Sequence, residues 1–336
     1  MNTGVFYSPV DYLSTVEYPT TKQGQPMSTL TIDRSPRPLG KNGISAFPIA
    51  YGCWRFAGTD VATARSKVDA ALEVGIDLFD HADIYGCDGG GSFGDAEELF
   101  GRVLAEDPSL RDQMTIATKG GIVLGLPYDS SAAWIRQACE DSLRRLQIDV
   151  IDLYQIHRPD FLGHPAEVAA TLVALKEEGK IREVGVSNYT TSQFRALQAH
   201  LPFPIATSQP EFSCWKHGAL RDGMLDLCME TSTTPMAWSP FGGGIIGLTK
   251  DEAAQQENGD RLAAMIEALD AVANEQSVAR SAVALAWVLA HPAGIIPIIG
   301  TQRTERIKES VQALDVQLDR TTWNNILIAA QGEPLP

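Results

Sequence analysis

The chain has 336 residues, of which 44% are hydrophobic, and its formal net charge at pH 7 is −15. Such an acidic chain is not expected to present a surface to nucleic acid or to an anionic membrane, and an anionic ligand would need a local basic pocket. No run approaches the roughly 18 apolar residues of a transmembrane helix, and five cysteines without CxxC spacing are typical of reduced thiols in a cytoplasmic protein.

Residues 1–28 differ in composition from the rest of the chain. They are rich in Thr, Ser, Tyr and Pro, show no hydrophobic period and lack the apolar core of a signal peptide. We therefore predict a mobile N-terminal tail over residues 1–28 and a folded domain over residues 29–336. Met27 is an alternative start of the chain.

From about residue 45 onward, a strand–loop–helix pattern repeats eight times. The predicted strands are 46–52, 75–80, 114–119, 151–157, 184–188, 204–209, 235–238 and 294–299. The predicted helices are 61–73, 94–105, 132–146, 166–178, 191–200, 220–230, 261–274, 279–290, 304–313 and 321–330, with a long loop over 241–259.

Alternating strands and helices indicate a parallel sheet, and the short apolar strands indicate that helices cover it. A closed barrel and an open doubly wound sheet both fit this pattern. The barrel is favoured because the strands from the second to the eighth end in polar residues or glycine, and a barrel brings all these ends to one mouth. The predicted fold is a single-domain α/β protein, a (β/α)8 TIM barrel.

Three successive strands end in ionisable residues, namely Asp80, Lys119 and His157, and Tyr85 follows in the loop after Asp80. A nearby ammonium favours a phenolate, so we expect Lys119 to lower the pKa of Tyr85 and Asp80 to hold Lys119 charged. Tyr85 would then donate a proton to a carbonyl oxygen as a hydride reaches the carbon, with His157 sharing that oxygen. Each residue alone is more often structural, but the four together favour proton transfer.

Two other motifs are given structural interpretations. Residues 80–83 read Asp-His-Ala-Asp, but strand alternation places Asp80 and His81 on opposite faces, so no metal site is expected. Residues 89–94 match GxGxxG, the dinucleotide-binding pattern. That pattern follows its strand directly in dinucleotide-binding folds, whereas here about ten residues intervene, so a lid-like loop is predicted.

The phosphate signal lies after the last two strands, where TIM barrels often bind phosphate. Ser239, Phe241 and the glycines from Gly242 follow strand seven, and a net basic segment with Arg306 follows Gly300 after strand eight. Trp238 offers a flat face for a planar ring, and the amides of Asn188 and Gln209 suit a carboxamide.

These motifs together resemble the aldo-keto reductase family over roughly residues 36–330. The resemblance is carried by the segments 75–80 with Tyr85 and Gly86, 142–160, 185–189, 237–240 and 297–309. It implies a barrel that folds as a monomer, NADP(H)-linked carbonyl reduction, and Tyr85 as the proton donor with Asp80, Lys119 and His157 as its partners.

The resemblance also implies the cofactor contacts. Ser187, Asn188 and Gln209 would bind the carboxamide, Trp238 would lie under the nicotinamide, and Ser239, Phe241 and Gly242 would line the pyrophosphate. Arg306 would meet the 2′-phosphate, Glu309 and Ser310 would lie near the adenine, and Trp54 and Gly300 complete the predicted set.

The sequence departs from the family pattern at three positions, with Trp238 for the usual Tyr, Ser310 for Asn and His81 for Thr. Within the family, its pattern is closest to that of the bacterial general oxidoreductases. Substrate specificity is assigned to Trp54, Phe56, the 87–94 loop and residues 212–215. The expected partner is a small-molecule carbonyl substrate. Two alternatives stay open, namely a sugar or secondary-alcohol dehydrogenase and a nucleotide-binding regulatory subunit.

Overall fold

The computed structural model describes residues 29–41, 43–87 and 91–335, so the predicted tail and residues 88–90 of the predicted lid-like loop lie outside the described residues. Eight parallel strands close into one barrel in chain order, which confirms the predicted TIM barrel. They are β1 (Ala50–Gly52), β2 (Leu78–Asp80), β3 (Thr115–Gly120), β4 (Ile151–Ile156), β5 (Ile181–Ser187), β6 (Thr207–Gln209), β7 (Thr234–Ala237) and β8 (Ile296–Ile299).

Helices cover the barrel: α1 (Val61–Glu73), α2 (Asp95–Glu106), α3 (Ala132–Leu146), α4 (Pro165–Glu177), α5 (Thr191–Gln198), α6 (Met224–Thr231), α7 (Lys250–Ala254), α8 (Gly259–Gln276), α9 (Arg280–Leu289), α10 (Thr304–Glu309) and α11 (Arg320–Gln331). Short 3-10 helices are Pro108–Gln113, Gly218–Leu220, Gly242–Gly247 and Ser310–Leu314. The N-cap of α3 is Ser131, whose hydroxyl accepts the Trp134 N–H at 3.3 Å.

Several predicted boundaries were wrong, and three of them change the description of an element. Residues 45–46 pair with Arg37–Pro38 in a separate hairpin, so β1 is only three residues long. The predicted loop 241–259 contains a 3-10 turn and α7, whose capping box of Thr249 and Glu252 was visible as T-x-x-E. The predicted helix 304–313 becomes 3-10 after Glu309.

The hairpin before β1 completes the core at the amino-terminal end of the barrel. Its Leu39 and Ala46 are fully buried and pack with strand residues such as Met236 and Ile296. A second short hairpin, Ile122–Val123 with Leu126–Tyr128, follows β3 at the opposite end, which is the mouth. The amino-terminal end is therefore plugged by side chains, and the open end is the one where the polar strand ends meet.

Within the described residues, no helix has the length and apolar character needed to cross a membrane. All five cysteines lie within the described residues, and none of them forms a disulfide there; four of them are buried.

Candidate active site

Three adjacent strands bring the predicted proton-transfer residues together at the mouth. Asp80 is the last residue of β2, Lys119 lies near the end of β3, and His157 directly follows β4. Because β2 pairs with β3 and β3 with β4, these ends lie side by side. Tyr85 returns from the loop after β2.

A single buried ammonium connects the members of this tetrad (Asp80, Tyr85, Lys119 and His157). Lys119 Nζ donates to Asp80 Oδ2 at 2.7 Å, to the His81 carbonyl at 2.6 Å and to the Tyr85 hydroxyl oxygen at 3.3 Å. The Tyr85 ring meets the His157 ring edge-on, with 6.0 Å between centroids. The four side chains, which come from the ends of three strands and from the loop after β2, therefore form one contiguous group.

Burial sets the protonation states of this group. Burial opposes the charged form of Lys119, but the Asp80 carboxylate and Tyr85 outweigh it and raise the pKa of Lys119 above its usual value. Burial also raises the pKa of Tyr85, and Lys119 offsets only part of that rise. Lys119 therefore acts on the pKa of Tyr85 in the expected direction, but burial outweighs it, so the net shift is upward and Tyr85 is protonated at neutral pH.

His157 is neutral under the same conditions. Burial lowers its pKa well below the usual range, and the positive charges of Lys119 and Arg158 act in the same direction. Its ring can therefore offer one N–H donor and one acceptor at the mouth.

Two amides complete the environment of Asp80. Gln209 Nε2 donates to Asp80 Oδ1 at 3.0 Å, and Gln155 Nε2 donates to the same oxygen at 3.3 Å. The sequence reasoning missed Gln155, although a polar residue near the end of the buried β4 was a visible signal. It assigned Gln209 to a carboxamide, whereas in this structure the amide nitrogen of Gln209 serves Asp80.

The other predicted carboxamide residues form a chain beside His157. Asn188, in the left-handed region at φ 59°, donates from Nδ2 to the His157 carbonyl at 3.2 Å and to Ser187 Oγ at 2.8 Å. Its Oδ1 accepts the Trp238 indole N–H at 2.9 Å. These hydrogen bonds fix the half-buried Trp238 ring at the end of β7, on the side of the mouth next to His157.

The loop after β7 exposes its backbone at two glycines, Gly243 and Gly244. Gly243 and Gly244 have φ of 74° and 100°, and a Cβ at either would meet nothing within 4 Å. The N–H of Gly242 is bonded to the Ser239 carbonyl at 2.8 Å, and that of Gly244 to the Phe241 carbonyl at 3.0 Å. The N–H groups of Gly242 and Gly244 therefore already donate hydrogen bonds within the loop, although the space beside Gly243 and Gly244 is open.

The segment after β8, which comprises a short loop and α10, carries an exposed cation. Within the described part of the chain, the Arg306 guanidinium has no hydrogen bond or ion pair, whereas the neighbouring Lys308 pairs with Glu73 at 2.5 Å. Glu309 is exposed, and the buried Ser310 donates its hydroxyl to the Ile307 carbonyl at 2.6 Å. Gly300 lies at the start of this loop, with no atom near its missing Cβ.

The predicted specificity residues divide into two groups. Trp54 is 45% exposed just after β1, with the Arg55 guanidinium 4.9 Å from its ring centroid. Phe56 and Phe212 are fully buried in the core, so assigning them to substrate contact was wrong. The sequence reasoning missed Arg158, whose Cζ lies 5.9 Å from the centroid of the Trp238 ring.

This mouth fits a nicotinamide cofactor. The half-buried indole of Trp238 offers a planar surface beside the tetrad, the glycines after β7 leave room for a pyrophosphate, and Arg306 is an exposed cation in an acidic chain. In such a complex, the residues around Trp238 would hold the nicotinamide ring, and the segment after β8 would hold the adenosine end of the cofactor.

A parallel eight-stranded barrel with ionisable side chains at its mouth is the architecture of the (β/α)8-barrel enzymes. The model of the Aldo/keto reductase family matches residues 48–330, and the chain belongs to this family, whose members use nicotinamide cofactors. This confirms the resemblance found in the sequence.

Two curated relatives carry the same name. A 6-dehydroglucose reductase of Novosphingobium aromaticivorans is 50% identical over 312 residues, covering 92% of this chain and 100% of the relative. Another, from Agrobacterium fabrum, is 38% identical and covers 85% and 94%. Among solved structures, glycerol dehydrogenase of Gluconobacter oxydans superimposes with a TM-score of 0.77 at 27% identity, covering 90% of this chain and 98% of that one.

Proposed function

We propose that this protein is an NADPH-dependent reductase that converts the aldehyde of a 6-dehydroglucose-type sugar to the alcohol. The proposal rests on the fully buried Lys119 ammonium, held between the Asp80 carboxylate and the Tyr85 hydroxyl at the barrel mouth. The substrate class comes from the two relatives named 6-dehydroglucose reductase.

In this mechanism Tyr85 is the proton donor. A bound nicotinamide supplies the hydride to the carbonyl carbon, and the developing negative charge on the carbonyl oxygen takes the proton of the Tyr85 hydroxyl. The ammonium of Lys119, 3.3 Å away, stabilises the phenolate that remains. The neutral His157 orients the carbonyl oxygen through a hydrogen bond, and Asp80 keeps Lys119 in place.

The cofactor preference rests on charge. The 2′-phosphate is the chemical difference between NADPH and NADH, and an arginine binds a phosphate through two parallel hydrogen bonds. Arg306 is exposed and lies in α10, which follows the loop after β8 where TIM barrels often bind phosphate. We assign it to the 2′-phosphate, with Glu309 and Ser310 beside the adenine.

The sugar would lie across the aromatic rim. Exposed indoles stack on the apolar faces of rings, and Trp54 stands at the mouth next to the end of β1. Arg158, which adjoins His157, can donate hydrogen bonds to sugar hydroxyls.

The reverse reaction is the second candidate, because a structurally similar protein is a glycerol dehydrogenase. Alcohol oxidation needs the phenolate of Tyr85 as a base. Burial raises the pKa of Tyr85, so the protonated form favours reduction at neutral pH. Oxidation of glycerol or of the sugar alcohol is expected only at alkaline pH.

The test is NADPH oxidation by the purified protein with glucose 6-aldehyde, glucose and simple aldehydes, together with NADP+ reduction by glycerol. We expect the highest kcat/KM with the 6-aldehyde. Tight NADPH binding with no turnover of any substrate would instead favour the regulatory interpretation.

Replacing Tyr85 with Phe tests the proton donor. Tyr85→Phe is expected to lower kcat by about 10²- to 10⁴-fold, because the general acid is lost, and to leave the Kd for NADPH unchanged. Tyr189→Phe, a half-buried tyrosine at the same end of the barrel, is the matched control and is expected to keep full activity. Retained turnover in Tyr85→Phe would remove Tyr85 from the mechanism.

A further inference from the structure

A second buried polar group lies behind the tetrad, between the barrel wall and the helices. We call Asp83, Glu97, Thr118 and Arg145 the rear cluster. Asp83 and Glu97 are fully buried, and the Arg145 side chain is 14% exposed. Thr118 precedes Lys119 on β3, so strand alternation points its side chain away from the tetrad and toward α2 and α3.

Glu97 is the centre of the rear cluster. Its Oε1 accepts the Thr118 hydroxyl at 2.5 Å, and its Oε2 accepts Arg145 Nη2 at 2.7 Å and Nε at 2.8 Å. These contacts join α2, which carries Glu97, to strand β3 on one side and to α3 on the other. Charge-assisted bonds of this kind are stronger and more directional than neutral ones.

Asp83 is the second carboxyl group, and it faces the same guanidinium. Neither of its carboxyl oxygens has a hydrogen-bond partner among the described residues. Burial raises the pKa of Asp83 well above its usual value; the nearby Glu97 adds to the rise and Arg145 opposes it. The neutral form of Asp83 is therefore favoured, and the hydrogen bonds of Arg145 to a carboxyl group go to Glu97.

The rear cluster is attached to both ends of the contact between Lys119 and Tyr85. Thr118 adjoins Lys119 along β3, and the Asp83 N–H donates to the Lys119 carbonyl at 2.9 Å. On the other side, the N–H of Ala96, next to Glu97, donates to the Tyr85 carbonyl at 3.1 Å. The backbones that present the ammonium and the phenol are therefore both tied to α2.

We propose that Glu97 is a positioning residue, which sets the distance between Lys119 Nζ and the Tyr85 hydroxyl through Thr118 and the loop after β2. This inference rests on the proposed function, because it concerns the geometry of the same proton donor. Glu97 does not touch the mouth, since it lies on the outer side of the barrel wall, and its effect is therefore expected in the chemical step and not in ligand binding.

Glu97→Gln tests the proposal, because it keeps the shape of the side chain and removes the charge that Arg145 needs. We expect kcat for aldehyde reduction to fall by about 10- to 100-fold, the effect of a displacement of up to an ångström. The KM for the aldehyde and the Kd for NADPH are expected to stay within about twofold, because no ground-state contact is removed.

Asp152→Asn is the matched control for a purely structural effect. Asp152 is equally buried and binds the same strand at its other end, where it accepts the Ile116 N–H at 2.8 Å and pairs with Arg111 at 2.8 Å and Arg182 at 3.1 Å. We expect Asp152→Asn to lower stability at least as much as Glu97→Gln and to leave kcat unchanged. A loss of kcat that follows lost stability equally in both variants would overturn the positioning role.

Amide hydrogen exchange gives a readout that does not need turnover. The N–H groups of Asp83 and Tyr85, bonded to the Lys119 and Ala82 carbonyls, are expected to exchange faster in Glu97→Gln and unchanged in Asp152→Asn. This measurement remains valid if the wild-type protein reduces no aldehyde, so failure of the proposed function can be recognised separately.

Two milder variants keep the proposal testable if Glu97→Gln does not fold. Thr118→Val removes only the hydroxyl and is expected to give the same pattern at smaller amplitude, with lower kcat and faster exchange at Tyr85. Asp83→Asn replaces a neutral acid by a neutral amide of the same shape and is expected to retain kcat. Unchanged kcat and unchanged exchange in Thr118→Val would overturn the proposal.

Discussion

His81 is a buried histidine in an aromatic environment, where the family pattern has Thr. Its side chain is fully buried, its ring centroid lies 4.5 Å from that of Phe100, and its two ring nitrogens have no hydrogen-bond partner among the described residues. Burial, with the charge of Lys119 in the same direction, lowers the pKa of His81 to about 3. The ring is therefore neutral in the folded protein across the physiological range.

His81→Phe is expected to remove a source of acid instability. Below the unfolded pKa of 6.5 the unfolded chain gains a proton that folded His81 does not accept, so stability is lost as pH falls from 6.5 toward 3. At pH 5 this protonation of the unfolded chain lowers the free energy of unfolding by about 2 kcal/mol, and at pH 7 it lowers it by almost nothing.

Urea unfolding of the wild type and of His81→Phe at pH 7 and pH 5 measures that difference. As the pH falls from 7 to 5, the free energy of unfolding of His81→Phe is expected to rise by about 2 kcal/mol relative to that of the wild type. The same pH dependence in both proteins would contradict the assignment of a neutral, buried His81.

Lys119→Met is expected to lose both turnover and stability. The variant removes the ammonium that stabilises the phenolate, so kcat is expected to fall at least as far as in Tyr85→Phe. It also leaves the buried Asp80 carboxylate without its cation, which costs about 3 kcal/mol, at the lower end for broken buried pairs because Gln155 and Gln209 still donate to it.

NADPH oxidation and urea unfolding measure the two losses in Lys119→Met. Lys180→Met, which removes a lysine that pairs with Glu140 and Glu178 near the surface, is the control and is expected to cost less than about 1 kcal/mol. A stable, active Lys119→Met protein would rule out the coupling of Asp80, Lys119 and Tyr85.

At the scale of elements, the close approach of α2 and α3 depends on Gly101. A Cβ at this position would clash with the Arg145 carbonyl oxygen and lie 2.9 Å from the Leu146 carbonyl carbon, both of them backbone atoms. The same contact brings Arg145 within reach of Glu97. The packing of two helices and the ion pair of the rear cluster therefore share one small residue.

Gly101→Ala is expected to destabilise the protein by roughly 1–3 kcal/mol, although Ala is the better helix former, because the backbone of α3 must move. Thermal unfolding measures the effect. Gly218→Ala is the control, since a Cβ there meets nothing within 4 Å, and it is expected to change stability by less than about 0.5 kcal/mol. Equal stability of the two variants would show that α2 and α3 adjust to the added methyl group.

At the scale of the whole molecule, a net charge of −15 opposes the binding of an anionic cofactor. The exposed Arg306 in α10 offsets this locally. The loop between β8 and α10 is held to α1 by a hydrogen bond of 2.8 Å from Lys67 Nζ to Gln302 Oε1.

Arg306→Ala is therefore expected to weaken NADPH binding by one order of magnitude or more and to leave NADH binding nearly unchanged. Charge-assisted hydrogen bonds are worth roughly 1.5–3 kcal/mol each, and NADH lacks the phosphate that would accept them. Titrations that follow quenching of tryptophan fluorescence give both affinities.

Arg303→Ala, which removes a second exposed arginine at the start of α10, serves as the control and is expected to have a smaller effect. Equal losses for NADPH and NADH in Arg306→Ala would mean that Arg306 supports α10, and a wild-type preference for NADH would reject the cofactor assignment.

The amino-acid sequence by itself determined the barrel and the position of its mouth. The reason is that both signals are local: apolar runs alternate with amphipathic helices, and Asp80, Lys119 and His157 mark the ends of their own strands. The boundaries that failed, at residues 45–46 and 241–259, are places where short hydrogen-bonded turns replace a periodic pattern.

Only the tertiary structure decided how the polar groups are paired and protonated. Gln155 and Gln209 converge on Asp80 from strands far apart in the chain, and Glu97 meets Arg145 across two helices. Depth of burial reversed the expected direction of the pKa shift of Tyr85. Burial and distance arise from packing residues remote in sequence, and no local pattern records them.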